Sequence, residues 1–471
     1  MNKLGAKVVE LTEQDLDHMT PSEQRAARGL ASIYALRMMG LFMILPVFAL
    51  YAESLVGMTP FLVGLAIGIY GLTQAIFQIP FGMLSDRIGR KPVIIIGLLI
   101  FAVGSVIAAL AESMTWVIIG RAVQGAGAIA AVVMALTADL TREEHRVKAM
   151  AMIGISIGIA FAFSLVLGPL LASWIGVPGI FWLTALLSLG GIVVLLKIVP
   201  TPIESKFHRD AQPIPAQFKK VLKNPELLRL DIGIFTLHMT LTASFVVIPL
   251  ALRDYALLDS AEHWWVYLPV MLLSMALMVP FIIIAEKRRK MKEIMTLSVA
   301  ALVVAEFMLM VGYHSMVLII IALLVFFIAF NVLEASLPSL IVKAAPADLK
   351  GTAMGVYSSF QFIGAFVGGS MGGLLYGAFG LEGVFLGCAM MLVVWLFVVK
   401  TMRNPRYLGS FMINVGPVDK EQASHLVHEL TNVTGVAEAV VIPEDGIAYL
   451  KVDNHAVDKH ALSQFSYTGK S

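Results

Sequence analysis

The chain has 471 residues, 58% hydrophobic and 14% charged, with a mean hydropathy of +0.85 and a formal net charge of +2. Soluble domains run nearer half apolar and a quarter charged, so repeated apolar runs longer than 18 residues exclude a large soluble core and point to membrane spans. Cys388 is the only cysteine and lies inside such a run, which excludes a disulfide framework, a thiol metal cluster or a redox pair within the chain.

Residues 1–28 carry Glu10, Glu13, Asp15, Asp17 and Glu23 without an apolar stretch behind a basic start, so they read as a cytoplasmic segment and not a cleavable signal peptide. Apolar runs then predict spans over 29–52, 60–84, 92–112, 116–138, 148–171 and 178–199, and again over 229–251, 264–285, 293–312, 315–342, 352–378 and 382–401. These divide into a first bundle (29–199), a linker (200–228), a second bundle (229–402) and a small domain (403–471). With the N-terminus inside, the N-terminal segment and the five cytoplasmic loops hold 24 Lys and Arg, and the six opposite loops hold one, Arg253. That bias predicts both termini on the cytoplasmic side of a cell (inner) membrane. Trp116, Trp174, Trp182, Trp264 and Trp265 fall near outer span ends, where aromatic rings anchor in headgroups.

The linker contains Pro200, Pro202, Pro213 and Pro215 and then an amphipathic run, Gln217 to Leu228, with Lys219, Lys220 and Lys223. It reads as an interfacial helix tethering two bundles, its lysines near anionic lipid, or as a plain solvated linker. The halves show a weak repeat. Pro80-Phe81 precedes Asp86 by the same step as Pro280-Phe281 precedes Glu286, and Ala149-Met150 and Ala353-Met354 both open spans after polar loops.

Three segments carry a resemblance. The hairpin from Gly82 through Asp86, Arg87, Gly89, Arg90, Lys91 and Pro92 sets four charges between two spans, with Asp139 at the end of span 4. It resembles the loop 2–3 motif (motif A) of the major facilitator superfamily, whose members are secondary transporters. Span 4 carries Gly120-Arg121-Ala122-Val123-Gln124-Gly125, similar to that family's motif B; span 5 carries Gly154, Gly158 and Gly168-Pro169, similar to its motif C. The resemblance implies an all-α membrane fold, twelve helices in two six-helix bundles, with substrate bound between them. It also implies that Asp86, Arg90 and Asp139 form a charge cluster locking the cytoplasmic side when the carrier faces outward. It associates the motif B arginine with proton transfer near the substrate path, and motif C with drug and metabolite antiporters. The glycines by themselves also suit tight helix packing alone, and Arg121 could snorkel to headgroups.

Ionisable side chains inside spans are functional candidates by default. Arg37 lies in span 1, Asp231 and His238 in span 7, Glu306 in span 9 and Glu334 in span 10. Asn331 precedes Glu334 by three residues and shares its helix face. In the family, spans 1, 4, 7 and 10 line the cavity, which favours Arg37, Arg121, His238 and Glu334, with Glu334 first for the coupling proton and His238 second. Glu306 reads as a structural partner and Asp231 as solvated near the inner interface. Gln74 and Gln78 in span 2, and Tyr357 and Gln361 in span 11, each sit one turn apart and suit either substrate contact or bracing of neighbouring helices.

After Pro405 the pattern is βαββα: strands near 406–416, 437–442 and 447–452, helices at 420–432 and 455–465. This resembles a ferredoxin-like α+β module, similar in outline to heavy-metal-associated domains but lacking their paired cysteines. His425, His428, His455 and His460 read as solvated side chains and not a metal site. The expectation is a proton-coupled antiporter exporting a small, amphipathic compound by alternating access, its partners substrate, protons and lipid. Alternatives are a symporter or facilitator for a nutrient, or a sensor signalling through the tail. No nucleotide loop, metal ligand set, cofactor motif or nucleophile–base pair is visible, and an enzyme or nucleic-acid binder is not expected.

Overall fold

The computed structural model describes residues 18–202, 214–346, 348–404, 408–443, 446–453 and 456–465. Among these residues, nine helical segments are long and apolar enough to cross a membrane. Two of them, Lys148–Lys197 and Lys350–Lys400, are 50 and 51 residues long. At about 1.5 Å per residue each is more than twice as long as a bilayer core is thick. Each turns at one glycine in the left-handed region, Gly176 (φ 68°) and Gly380 (φ 67°). Each therefore supplies two crossings, spans 5 and 6 and spans 11 and 12, with a bend where the sequence suggests a short loop.

Span 1 completes the twelve. Its helix Pro21–Phe42 carries Arg25, Arg28 and Arg37, which lowers its mean hydropathy, and it gives way to a turn over 43–47 before Phe48–Ala52. Span 2 (Pro60–Ile88) is capped by the Thr59 hydroxyl, and only Gly89 (φ 94°) separates it from span 3 (Arg90–Ala109). The charged hairpin is thus mostly helix, narrower than the predicted turn. Span 4 is two helices, Met114–Ala126 and Ala130–Asp139. The linker helix is shorter than expected, Phe218–Leu222. Asn224 ends the amphipathic run by capping the next helix through Oδ1, and Pro225 opens span 7 (Pro225–Leu250), four residues ahead of the predicted boundary. Spans 8, 9 and 10 are Trp264–Lys287, Met291–Gly312 and Met316–Ala344.

One apolar core lies within the first half; a larger one fills the second half and continues into the first through Phe48, Ile67 and Phe181. Ile33, Ile94, Leu98, Val133 and Leu195 pack in the first; Leu302, Phe326, Val384, Phe385 and Trp395 pack in the second. Leu99, Val103, Leu186, Leu272, Val304 and Val394 are exposed on the outside, as lipid-facing residues must be. Trp116, Trp174, Trp182 and Trp265 are exposed at the end away from the basic loops.

The tail forms β1 (Gly409–Asn414), a helix (Lys420–Asn432), β2 (Val436–Ile442), β3 (Ile447–Val452) and a short helix (Lys459–Ser463). The sheet order is β1-β3-β2, with β3 antiparallel to both neighbours. That is the split βαβ core of a small α+β domain. The Lys451 ammonium on β3 donates to the Lys343 carbonyl in the last turn of span 10 at 2.8 Å, which docks the sheet on a helix C-terminus. His425 and His428 are exposed, and His455 lies outside the described residues.

Candidate functional site: the interface between the halves

The halves meet along spans 2 and 11, where missing side chains let backbones touch. A Cβ added at Gly64 would come within 2.0 Å of the Gly369 carbonyl oxygen; at Gly68, within 2.7 Å of the Phe366 oxygen; at Gly71, within 2.4 Å of the Phe362 oxygen. The seam runs from Pro60 and Gly373, at the end opposite the basic loops, towards mid-membrane. It continues as far as Gln78, whose amide donates to Ser359 Oγ at 2.6 Å. At the end opposite the basic loops, Arg253 forms a bidentate pair with Glu53 (2.6 and 2.8 Å), joining the second half to the first. Arg253 also donates to the Asp254 carboxylate, at 2.6 and 3.0 Å. The solitary positive charge on that face was a visible signal in the sequence, yet its role as a clasp needed the fold.

Towards the basic loops the interface parts. Gly82 meets only Ala131 of its own half, and Gly154 and Gly158 have open space where a Cβ would stand. The close backbone contact expected of the two span 5 glycines is therefore not made in this conformation. Gly168, the next of the series, does pack, its Cα facing the Met43 carbonyl where span 1 unwinds; Pro169 follows it within the helix.

The motif A side chains gather around Arg90. It donates to Asp86 Oδ1, to Ser85 Oγ at 2.6 Å and to Asp139 Oδ2 at 3.2 Å, and it is buried while Asp86 is partly exposed. All four lie in the first half. Arg87 is exposed. Lys91 leaves the cluster to donate to the Val199 carbonyl (2.6 Å) and Thr201 Oγ1 (3.1 Å), fastening the end of span 6.

Arg37 and Arg121, expected to face a cavity, are instead sealed inside the first bundle at 0% and 1% exposure. Arg37 donates to Gln74 Oε1 at 2.6 Å and to the Gly127 carbonyl at 3.0 Å. The reason is local: span 4 breaks at 127–129, which frees a carbonyl that a continuous helix would consume. Arg121 donates to the carbonyls of Ala66 and Ile67 and to Gln124 Oε1, while Gln124 donates to Ser105. It stacks over Tyr70 at 5.2 Å, which rules out snorkelling to headgroups here. Gly125 lets span 4 approach the Tyr70 carbonyl; an added Cβ would stand 2.3 Å from it.

The second half holds the polar cluster that borders the seam. The Gln361 amide on span 11 donates to His238 Nε2 of span 7 at 2.9 Å and to Glu334 Oε1 of span 10 at 3.3 Å. His238 Nε2 and Glu334 Oε2 are 3.9 Å apart. The Glu334 side chain is 34% exposed in mid-helix, and its Oε2 and the nearby Tyr357 hydroxyl have no hydrogen-bond partner among the described residues. An aromatic wall flanks the cluster. Phe330 lies 5.9 Å from the His238 ring and stacks on Phe161 of the first half at 5.7 Å, with Phe327 beside them. Asn331 turns away, its amide donating to Ser274 of span 8 at 3.3 Å. Gln74 and Gln78, one turn apart, part company: the first holds Arg37, the second crosses to Ser359.

Glu306 accepts from Ser244 at 2.7 Å within the second bundle, as a structural partner would. Asp231 departs from expectation. It is fully buried, with neither oxygen hydrogen-bonded among the described residues, because span 7 begins earlier than its apolar run and carries the residue a turn deeper.

The family model of the Major Facilitator Superfamily matches residues 30–369. The inner membrane transport protein YajR of Escherichia coli (strain K12) is 48% identical over 446 residues, which cover 95% of this chain and 98% of that protein. An uncharacterized transporter of Buchnera aphidicola is 37% identical over 71% of this chain and 86% of its own. In fold, a bacterial homologue of the human lysosomal transporter Spinster superposes with a TM-score of 0.65 at 14% identity, over 82% of this chain and 98% of that one. The human organic anion transporter MFSD10 superposes with 0.60 at 17% identity, over 81% and 100%.

Proposed function

Because the chain belongs to the major facilitator superfamily and is a membrane transporter, we propose that it is a proton-coupled antiporter exporting a small amphipathic compound by alternating access. The observation that carries this reading is the His238–Gln361–Glu334 cluster. It joins three helices of one half, borders the seam with the other, and keeps a partly exposed carboxylate, one oxygen of which has no partner among the described residues. A carboxylate so placed can hold a proton in one conformation and release it in the other, and the exchange leaves a charge that substrate binding can oppose. The wall of Phe161, Phe327 and Phe330 beside it suits a molecule with one apolar and one polar face.

The basic loops and both termini are assigned to the cytoplasmic side. The halves are sealed at the other end and parted here, so this conformation would load substrate from the cytoplasm. Reversal would bring the Gly154–Gly158 face of span 5 into contact. The Asp86–Arg90–Asp139 cluster would then stand at the closing end, as an electrostatic bias on a two-state interface.

The test is efflux from proteoliposomes under an imposed pH gradient, screening a compound panel with wild type and Glu334→Gln. Gradient-driven flux is expected to fall about a hundredfold, the scale of losing a working proton-transfer group, with the yield of folded protein unchanged. Flux that keeps its pH dependence in the variant would remove Glu334 from the coupling role.

A further inference from the structure

A second polar cavity lies away from the transport seam, of about 500 Å³, lined by Lys220, Lys223, Asn224, Pro225, Glu226, Arg229, Thr401 and Arg403. It sits where three pieces of chain converge at the basic end of the second bundle: the end of the linker helix, the start of span 7 and the end of span 12. Four of the eight lining residues are cations and one is an acid. Glu226 is already engaged. Its Oε1 accepts from Arg229 at 2.6 Å and its Oε2 faces the Arg403 backbone N–H at 3.4 Å. Arg229 is further held by Thr401 Oγ1 at 3.2 Å. The side chains of Lys220, Lys223 and Arg403 are exposed and have no acidic partner among the described residues.

The walls are fixed. Asn224 caps span 7, and the Lys292 ammonium donates to the Met402 carbonyl at 2.5 Å, pinning the end of span 12. Like charges converging on one fixed cavity repel unless a counter-charge occupies it. Apolar side chains stand close to the lining residues along the chain. Leu222 and, one turn before Thr401, Phe397 are both exposed, so hydrocarbon can lie against the protein just beside the cations.

We propose that this cavity binds the phosphate of an anionic phospholipid, with Lys220, Lys223 and Arg403 on the phosphate oxygens and the acyl chains along Leu222 and Phe397. The occupant holds the linker to the second bundle. Basic pockets between helices at the headgroup level recognise anionic lipid in this way. The adjoining apolar surface favours a lipid over a soluble phosphate, which would share the cations and leave that surface bare.

The full chain, purified in detergent, is titrated with dioleoylphosphatidylglycerol, with dioleoylphosphatidylcholine and with inorganic phosphate, reading the thermal unfolding midpoint. Native mass spectrometry of the same samples counts retained lipid, so a variant of lowered stability still reports. Phosphatidylglycerol is expected to raise the midpoint and be retained where phosphatidylcholine is not. The combined Lys220→Gln, Lys223→Gln, Arg403→Gln variant should bind it at least about tenfold more weakly, as each headgroup cation strengthens the contact several-fold. The combined Lys287→Gln, Arg288→Gln, Lys290→Gln variant removes three exposed cations elsewhere on the same face and should lose less than about twofold. Equal losses in both variants, equal effects of the two lipids, or inorganic phosphate reproducing the shift and displacing the lipid would each overturn the assignment.

Discussion

The two ends of the interface between the halves are held by different forces. At the end bearing Pro60 and Gly373, spans 2 and 11 touch through backbone, and the ion pair that joins the halves, Glu53–Arg253, lies on the rim. At the basic end the strong contacts are electrostatic and stay within one half, Arg90 with Asp86 and Asp139. Contact between glycine-lined backbones is steep in distance and indifferent to salt or pH. Ion pairs near water act over longer range and are screened. A carrier built this way has one end that closes by fit and one whose closure can be tuned by charge.

This contrast can be broken most severely at the seam. Gly369→Leu sets side-chain atoms where Gly64 O and Gly68 N now stand, 2.4 and 2.9 Å from an added Cβ. Overpacking of this kind costs about 1–3 kcal/mol, so the sealed population should fall about tenfold or more, read as a longer spin-label distance between the halves at that end. Gly158→Leu, with open space beside it, serves as the control and should leave that distance unchanged.

The charged end offers the next effect. Glu23 accepts from the Arg142 backbone N–H and guanidinium and from the Thr20 N–H, tying the N-terminal segment to the loop between spans 4 and 5. Burial alone would raise its pKa, but these donors outweigh it and hold the carboxyl down to about 2. A depressed folded-state pKa means stability present above the unfolded value, near 4.5, and lost as pH falls towards 2. Glu23→Gln should therefore cost about 1–2 kcal/mol at pH 7, and the difference from wild type in thermal unfolding should vanish between those two values.

The smallest effect belongs to the rim. Arg253→Gln removes an exposed pair worth about 0.5–1 kcal/mol. It should loosen the sealed end only a few-fold in the same distance measurement, and less at high salt.

Much of this molecule is legible in its residues, for reasons that differ by element. Twelve crossings follow from apolar length, and the tail's βαββα order from the alternation of its short strands. The charged hairpin and its Arg90-centred cluster were marked by glycines and charges only a few residues apart. Other signals misled. Arg37 and Arg121 look like cavity residues because burying arginine is costly, yet the fold meets that cost with Gln74, Gln124 and backbone carbonyls. Asp231 looks solvated because it falls near a span end, yet Asn224 starts that helix earlier and draws it inside. The linker's amphipathic run reads as one helix, but the cap and Pro225 cut it in two.

The sequence by itself determined how many times the chain crosses the bilayer, where its charged turns fall and which family it belongs to. Transfer of a side chain into lipid is a property of local composition, summed along some twenty residues. Only the tertiary structure decided which polar groups are enclosed, which meet across helices and which end of the seam is shut. Those outcomes depend on the rotation and tilt of each helix against its neighbours, set by close packing among residues hundreds of positions apart, as Gln78 with Ser359 illustrates.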